Sequence, residues 1–169
     1  IHQEGLILQQ LLKQINPREI WKAVDQLIQA DRVYIGSFGS SYAAGYWFYY
    51  TLKQMRENVI ISSPSGFLSE DICDLNNRSV VVTLSFPRYR KESLMLAKFA
   101  KKQEAQIIAI TNRQLSPIGQ LSDITITTEE QMESSHHSIS SVISLLEVIV
   151  AGIQMRDHKR ISFRQQKLE

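Results

Sequence analysis

The chain has 169 residues, with 19 Lys and Arg against 17 Asp and Glu for a formal net charge of +2. This length is typical of one domain, and an apolar fraction of 43% with seven Gly and four Pro excludes a disordered, collagen-like or low-complexity chain. The small net charge also argues against direct nucleic-acid binding, because few counterions would be released.

Cysteine content and hydropathy restrict the compartment. The single cysteine, Cys73, excludes an internal disulfide framework and a multi-thiolate zinc site. We expect Cys73 to be a small buried apolar residue and the protein to be cytoplasmic, where thiols stay reduced. The N-terminus lacks the pattern of a secretory signal, and the most apolar stretch, 142–155, is interrupted by Ser144, Glu147 and Gln154. We therefore expect no membrane segment.

Helical and strand patterns alternate along the chain. Residues 6–15 read as a helix, and Asn16, Pro17 and Glu19 then mark a helix start, with a cap, a first-turn proline and a capping-box position. The pattern predicts strands over 32–36, 58–61, 80–84, 107–111 and 123–127. It predicts further helices over 41–56, 68–74, 92–103 and 138–155, followed by a partly basic tail over 156–169.

This alternation predicts an α/β fold with a parallel sheet. Runs such as 80–84 are apolar on both faces, which suits strands that helices cover on each side. The simplest arrangement is a three-layer αβα sandwich with a five-stranded parallel sheet in the order 2-1-3-4-5, of flavodoxin-like type. Ligands bind such sheets beyond the carboxyl ends of the strands, where the order reverses. We therefore expect the loops at 36–41 and 85–91 to meet at one crevice.

The first of these loops, GSFGSS, suits an anion. Glycines allow a tight turn that presents N–H groups, serines add short donors, and the helix N-terminus adds partial positive charge. The spacing of Gly36, Gly39 and Gly45 matches neither a dinucleotide fingerprint nor a P-loop, so we expect no cofactor. The alternative is an ordinary turn whose serines cap the helix. The candidate ligand-binding residues here are Ser37, Gly39, Ser40 and Ser41.

The second loop carries three cations. Arg88 is the best candidate for gripping a phosphate or carboxylate, because Pro87 restricts the backbone before it. We expect Arg90 and Lys91 to be a solvated charge run beside Glu92. The candidate ligand-binding residues of this loop are Ser85, Arg88 and Tyr89.

A third polar stretch, 129–138, follows the last predicted strand and could reach the same rim. Adjacent histidines on a helix diverge and have no partner four residues away, so we reject a metal site. Exposed residues at a helix end are one interpretation. The other is proton transfer beside a sugar carbonyl, for which the catalytic candidates would be Glu133, His136 and His137.

Three blocks, taken together, resemble the SIS (sugar isomerase) domain, and specifically the effector domain of RpiR-type bacterial transcriptional regulators. The blocks are ADRVYIGSFGSS at 30–41, SFPRY at 85–89, and AK, IAITN and SPI within 97–118, and the resemblance spans about 6–154. It implies a five-stranded parallel sheet, dimerisation and a phosphosugar held by serine-rich loops, with Ser40 and Ser41 matching the first family loop.

The second loop departs from the family pattern, in which serine, a second serine and glycine are usual. Ser85 is kept, but Pro87 stands at the second serine and Arg88 at the glycine. Hydroxyl donors are lost and a cation is gained, so the ligand could be a phosphosugar or a related small anion.

The expected function is therefore a phosphosugar-sensing effector domain over 1–155. The resemblance implies an upstream helix-turn-helix domain through which alone DNA would be bound, consistent with a chain that starts at Ile1. The aromatic run 46–50 favours a homodimer or tetramer, because so many bulky rings in succession exceed one core face. The alternatives are an aldose-ketose isomerase acting on sugar phosphates, and a dimerisation module with a degenerate pocket.

Overall fold

The computed structural model describes residues 15–128 and 139–169. Its helices are α1 (Pro17–Gln29), α2 (Tyr42–Met55), α3 (Ser69–Ile72), α4 (Lys91–Lys102), α5 (Ile139–Arg156) and α6 (His158–Leu168), and its strands are β1 (Val33–Ser37), β2 (Val59–Ile61), β3 (Val80–Ser85), β4 (Gln106–Thr111) and β5 (Ile124–Thr127). Short 3₁₀ turns span Gly39–Ser41 and Gly119–Leu121. The helix predicted over 6–15 and the polar stretch 129–138 lie outside the described residues, apart from Ile15.

The start of α1 follows the sequence signal. The Asn16 side chain accepts a hydrogen bond from the Arg18 amide at 3.0 Å, and Pro17 occupies the first helical position. The Glu19 carboxylate accepts instead from Lys22 Nζ at 3.3 Å. The predicted Asn16 cap is therefore confirmed, whereas the capping-box prediction for Glu19 is wrong, because its carboxylate contacts Lys22.

The sheet has the predicted topology. Its five strands are all parallel and run in the order β2-β1-β3-β4-β5. Alternate side chains enter two separate cores: Val80, Val82 and Leu84 pack toward α1, α2 and α5, whereas Val81 packs toward α3 and α4. The three-layer αβα sandwich is therefore confirmed, and the loops at the carboxyl ends of β1 and β3 lie side by side.

Helix α2 crosses close to the end of β1. A Cβ at Gly45 would lie 2.3 Å from Ser37 Cβ, so only glycine permits this approach. The approach sets the start of α2 directly above the β1 loop.

Helix α5 is the most apolar helix of the described residues. By length and composition it could cross a membrane, with a mean hydropathy of 1.5 over 18 residues. Its side chains Val142, Leu145, Leu146 and Ile149 are buried in the core, and the helix packs against α1. These contacts identify it as a core helix of the domain.

The segment 156–169, for which the sequence predicts no element, contains helix α6. Ile161 is buried, Arg160 Nη1 donates to the carbonyl of Ile28 at 2.8 Å, and Arg164 Nε donates to the carbonyl of Lys53 at 2.9 Å. Helix α6 thus docks on the ends of α1 and α2 through hydrogen bonds to backbone carbonyls. Apolar periodicity does not predict this helix, because Ile161 is its one buried residue.

Arg56, which directly follows α2, contacts the end of α1 from inside the protein. Arg56 is 3% exposed, and its guanidinium donates to the carbonyls of Leu27, in the last turn of α1, and of Ala30, which caps that helix. Burial, together with the nearby charge of Arg160, lowers the pKa of Arg56 to about 10, so the group remains protonated at neutral pH.

The expectation for Cys73 is wrong. Cys73 is exposed, with its Sγ 3.5 Å from the carbonyl of Glu70. Ile72 and Leu75 fill the core around α3. Because Cys73 directly follows Ile72 at the end of this short helix, its side chain points outward.

Candidate functional site

A cavity of about 520 Å³ opens beside the carboxyl ends of β1 and β3, where the strand order reverses. Both predicted loops line it, as the topology requires. Apolar side chains from Phe38, Leu84 and Ile139 form part of its wall. Its polar lining among the described residues consists of Ser40, Ser41, Ser85, Ser93, Arg88 and Arg90.

The serines of the first loop divide into two roles. Ser40 is exposed and Ser41 is 5% exposed, and both line the cavity. Ser37 is fully buried, and its hydroxyl donates to the Ser41 carbonyl at 2.6 Å. The Ser37 amide in turn donates to Ser62 Oγ at 3.2 Å. Ser37 therefore holds the loop in shape and does not line the cavity.

Gly39 also shapes the loop. Its φ is +61°, a conformation that glycine adopts without strain, and its amide donates to the carbonyl of Pro64 at 2.8 Å. A Cβ at this position would lie 2.8 Å from Arg90 Nη1. The absence of a side chain at Gly39 thus leaves room for the guanidinium of Arg90.

In the second loop, Ser85 and Arg88 line the cavity and Tyr89 does not. Arg88 is exposed, has a φ of +74°, and forms no ion pair with a described residue. Ser85 is 4% exposed and lies at the end of β3. The Tyr89 hydroxyl donates instead to Asn112 Oδ1 at 2.7 Å. Tyr89 therefore ties this loop to the end of β4.

Two lining residues, Arg90 and Ser93, were not among the sequence candidates. The expectation that Arg90 belongs only to a solvated charge run is wrong: its side chain lines the cavity and pairs with Glu92, at 3.0 Å from Nε to Oε1. Ser93 lies in the first turn of α4 and is 1% exposed. The sequence feature that could have indicated Arg90 and Ser93 is their position at the start of the helix that follows central strand β3.

The electrostatics of the cavity favour an anion. The 3₁₀ turn leading into α2 and the first turn of α4 both border it, and neither helix start has a side-chain capping hydrogen bond. Uncapped first turns present N–H groups and partial positive charge. Arg88 and Arg90 add two guanidinium groups, of which that of Arg90 is paired with Glu92 beside the cavity, and none of the described lining residues carries a carboxylate. This arrangement can hold a phosphate or a carboxylate group.

The acid-base candidates Glu133, His136 and His137 lie outside the described residues. Ile139, which begins α5 shortly after them in sequence, lines the cavity. Within residues 15–128 and 139–169, no group of three or more His, Cys, Asp or Glu side chains could hold a metal ion.

Comparison with known proteins gives one family match and several similar structures. The family model of the SIS domain matches residues 26–155. The sugar isomerase domain of an RpiR transcription factor from Sphaerobacter thermophilus superposes with a TM-score of 0.89 at 20% identity, over 99% of this chain and 94% of that chain.

Two further relatives differ in their reported roles. The Vibrio vulnificus NanR protein, complexed with ManNAc-6P, superposes with a TM-score of 0.79 at 17% identity, over 95% of this chain and 63% of that chain. A glutamine–fructose-6-phosphate aminotransferase (isomerizing) from Methanococcus maripaludis is 26% identical over 149 residues, which is 88% of this chain and 24% of the enzyme. The chain thus spans about a quarter of that relative's length.

Proposed function

The chain belongs to the SIS domain family, and from this premise we propose that it is the phosphosugar-sensing, dimerising effector domain of an RpiR-type bacterial transcriptional regulator in the cytoplasm. The observation that carries the proposal is the cavity at the strand-order reversal, where two uncapped helix starts meet serine hydroxyls and two arginines. The likeness to regulator domains, one of them complexed with ManNAc-6P, supports the same ligand class.

The mechanism of sensing follows from α2. This helix begins at the cavity with Ser41 as its N-cap and carries the exposed rings of Tyr46 and Tyr50 further along. A phosphosugar that orders the first loop would bias the position of α2. If a second copy packs on the aromatic side of α2, the ligand shifts the relative placement of the two subunits and of DNA-binding domains attached to them.

Thermal stability in the presence of phosphosugars tests the proposal. Glucose 6-phosphate, 6-phosphogluconate and N-acetylmannosamine 6-phosphate would be added separately to the protein. Binding of a ligand at about 100 times its Kd adds about 2.7 kcal/mol to the free energy of unfolding. We expect at least one of the three to raise the melting temperature. No rise with any of them, nor with inorganic phosphate, would contradict the proposal.

The variant Arg88→Gln locates the binding site. We expect it to lose most of the ligand-induced rise, because it removes from the cavity a guanidinium that forms no ion pair with a described residue. Arg78→Gln is the matched control. Arg78 is also exposed, but it precedes β3 and lies at the amino ends of the strands, away from the cavity. An equal loss in both variants would indicate a general charge effect and would count against the assignment of Arg88.

A sugar-phosphate isomerase is the second candidate, and the isomerizing aminotransferase among the relatives favours keeping it. Both candidates predict stabilisation by a phosphosugar, but only an enzyme interconverts it. NMR of glucose 6-phosphate incubated with the protein would show fructose 6-phosphate only for the isomerase. In that case Glu133, His136 and His137 become the residues to substitute. A dimerisation module with a degenerate pocket would show neither stabilisation nor conversion.

A further inference from the structure

One of the two cavity arginines already has an anionic partner. Arg90 Nε lies 3.0 Å from Glu92 Oε1, whereas Arg88 forms no ion pair with a described residue. Glu92 is the second residue of α4 and its side chain is 19% exposed, so its carboxylate sits at the helix start that borders the cavity. A bound phosphate would seek the same two partners, the arginine and the first turn of α4.

We propose that Glu92 is a built-in competitor for the anionic group of the ligand: its carboxylate occupies Arg90 in the ligand-free protein, and an incoming phosphate displaces it. The inference rests on the proposed function, since it concerns the same cavity. It assigns Glu92 a role in setting affinity, although Glu92 itself does not line the cavity.

Arg90 lies between Glu92 and the cavity. A Cβ at Gly39 would lie only 2.8 Å from Arg90 Nη1. The guanidinium of Arg90 therefore packs against the first loop at Gly39. From this position the guanidinium can pair with Glu92 on one side or with a ligand in the cavity on the other. Glycine at position 39 makes the arrangement possible.

The strength of the pair suits an exchange. The Arg90 side chain is 46% exposed, and ion pairs that solvent reaches are weak. A phosphate dianion carries more charge than a carboxylate and can accept two parallel hydrogen bonds from a guanidinium, whereas Glu92 accepts one from Arg90 Nε, so phosphate can displace Glu92. Two hydrogen bonds lower the pKa of Glu92: the larger effect comes from the Arg90 side chain and the smaller from the backbone amide of Glu92. The carboxylate is therefore ionised at neutral pH and competes for Arg90.

Isothermal titration with glucose 6-phosphate and with inorganic phosphate tests the inference on wild type, Glu92→Gln, Arg90→Gln and the double variant. We expect Glu92→Gln to bind roughly two- to fivefold more tightly than wild type, the range that an exposed ion pair provides. Arg90→Gln should bind more weakly. In the double variant the gain from Glu92→Gln should vanish, because there is no arginine left to release.

Glu70→Gln is the matched control. Glu70 is the second residue of α3, as Glu92 is of α4, and its loss changes the net charge equally without touching the cavity. We expect wild-type affinity. Melting temperatures without ligand show whether each variant is folded.

The possible results separate the two proposals. If wild type binds and Glu92→Gln binds equally or more weakly, the competitor role is wrong and the sensing function stands. A gain that also appears in Glu70→Gln, or that persists without Arg90, overturns the competitor role as well, because it would reflect net charge. If neither wild type nor Glu92→Gln binds either probe at millimolar concentrations, the competitor role fails. The phosphosugar function fails with it when 6-phosphogluconate and N-acetylmannosamine 6-phosphate also leave the melting temperature unchanged.

Discussion

Arg88 combines a cation with an unfavourable backbone. Its φ of +74° lies in the left-handed region, which costs a residue with a side chain about 1–2 kcal/mol. The resemblance to the SIS family implies glycine at this position, for which that conformation carries no such penalty. The chain thus keeps a glycine-like turn while presenting a guanidinium to the cavity. Such retained strain is typical of ligand-binding loops.

The two roles of Arg88 can be separated by substitution. Arg88→Gly and Arg88→Ala both remove the guanidinium, so both should lose phosphate binding in a titration. Only glycine relieves the backbone, and we expect Arg88→Gly to be about 1 kcal/mol more stable than Arg88→Ala in urea unfolding. Equal stabilities would show that the turn does not hold position 88 in the left-handed region in solution.

The sequence predicted which loops form the site better than which side chains enter it. Ser40, Ser41, Ser85 and Arg88 line the cavity as expected. For Ser37, Gly39 and Tyr89 the sequence supports ligand binding only through their place in these loops, and none of the three lines the cavity. The direction of a loop side chain depends on contacts from distant segments, such as that between Tyr89 and Asn112, which a local pattern does not contain.

At the scale of elements, the strands were predictable because each is an apolar, largely β-branched run between clear turn signals. Helix α6 was not, since polar contacts rather than an apolar stripe hold it. Arg160 is central to that attachment, because it donates to the Ile28 carbonyl at 2.8 Å and to Glu57 at 2.6 Å.

We expect Arg160→Ala to lower the free energy of unfolding by about 1–2 kcal/mol, mostly through the lost charge-assisted hydrogen bond to the carbonyl. Urea denaturation followed by circular dichroism measures the change. Lys159→Ala, at an exposed neighbouring position of α6, is the control and should stay within about 0.5 kcal/mol of wild type. If both variants lose the same amount, the helix depends on its own propensity and not on the docking contact.

The ion pair between Arg160 and Glu57 predicts that the stability contributed by Arg160 depends on pH. The hydrogen bond from Arg160 lowers the pKa of Glu57 below its usual 4.5. A carboxyl whose pKa is lower in the folded protein adds stability above its unfolded pKa, and that stability is lost as the pH falls through the folded value. The gap between wild type and Arg160→Ala should therefore be larger at pH 7 than at pH 3. A gap independent of pH would assign the whole effect to the Ile28 carbonyl.

At the scale of the whole molecule, the aromatic side of α2 bears on assembly. Of the run 46–50, Phe48 is fully buried, whereas Tyr46 is 47% and Tyr50 is 57% exposed. The rings of Tyr42, Tyr46 and Tyr49 lie in succession along the helix, with centroids 6.1 and 5.8 Å apart. The prediction that these rings exceed one core therefore holds within the described fold, and they form a surface that a second copy could cover.

We expect a dimer in sedimentation velocity at micromolar concentration, and a shift toward monomer in the double variant Tyr46→Lys and Tyr50→Lys. Two lysines on each copy would place like charges at the contact and remove aromatic area. Leu115→Lys is the control, because Leu115 is 81% exposed in the loop after β4. A dimer that survives the double variant would place the subunit contact elsewhere.

Because Cys73 is exposed, contrary to expectation, it can be labelled chemically. As the one thiol of this sequence, it can take a maleimide spin label or dye at a defined point on α3, outside the lining of the anion cavity. In a symmetric pair of subunits, two such labels would report a single intersubunit distance. Pulsed electron paramagnetic resonance would measure that distance with and without a phosphosugar. A change in the distance would show that the ligand moves one subunit relative to the other.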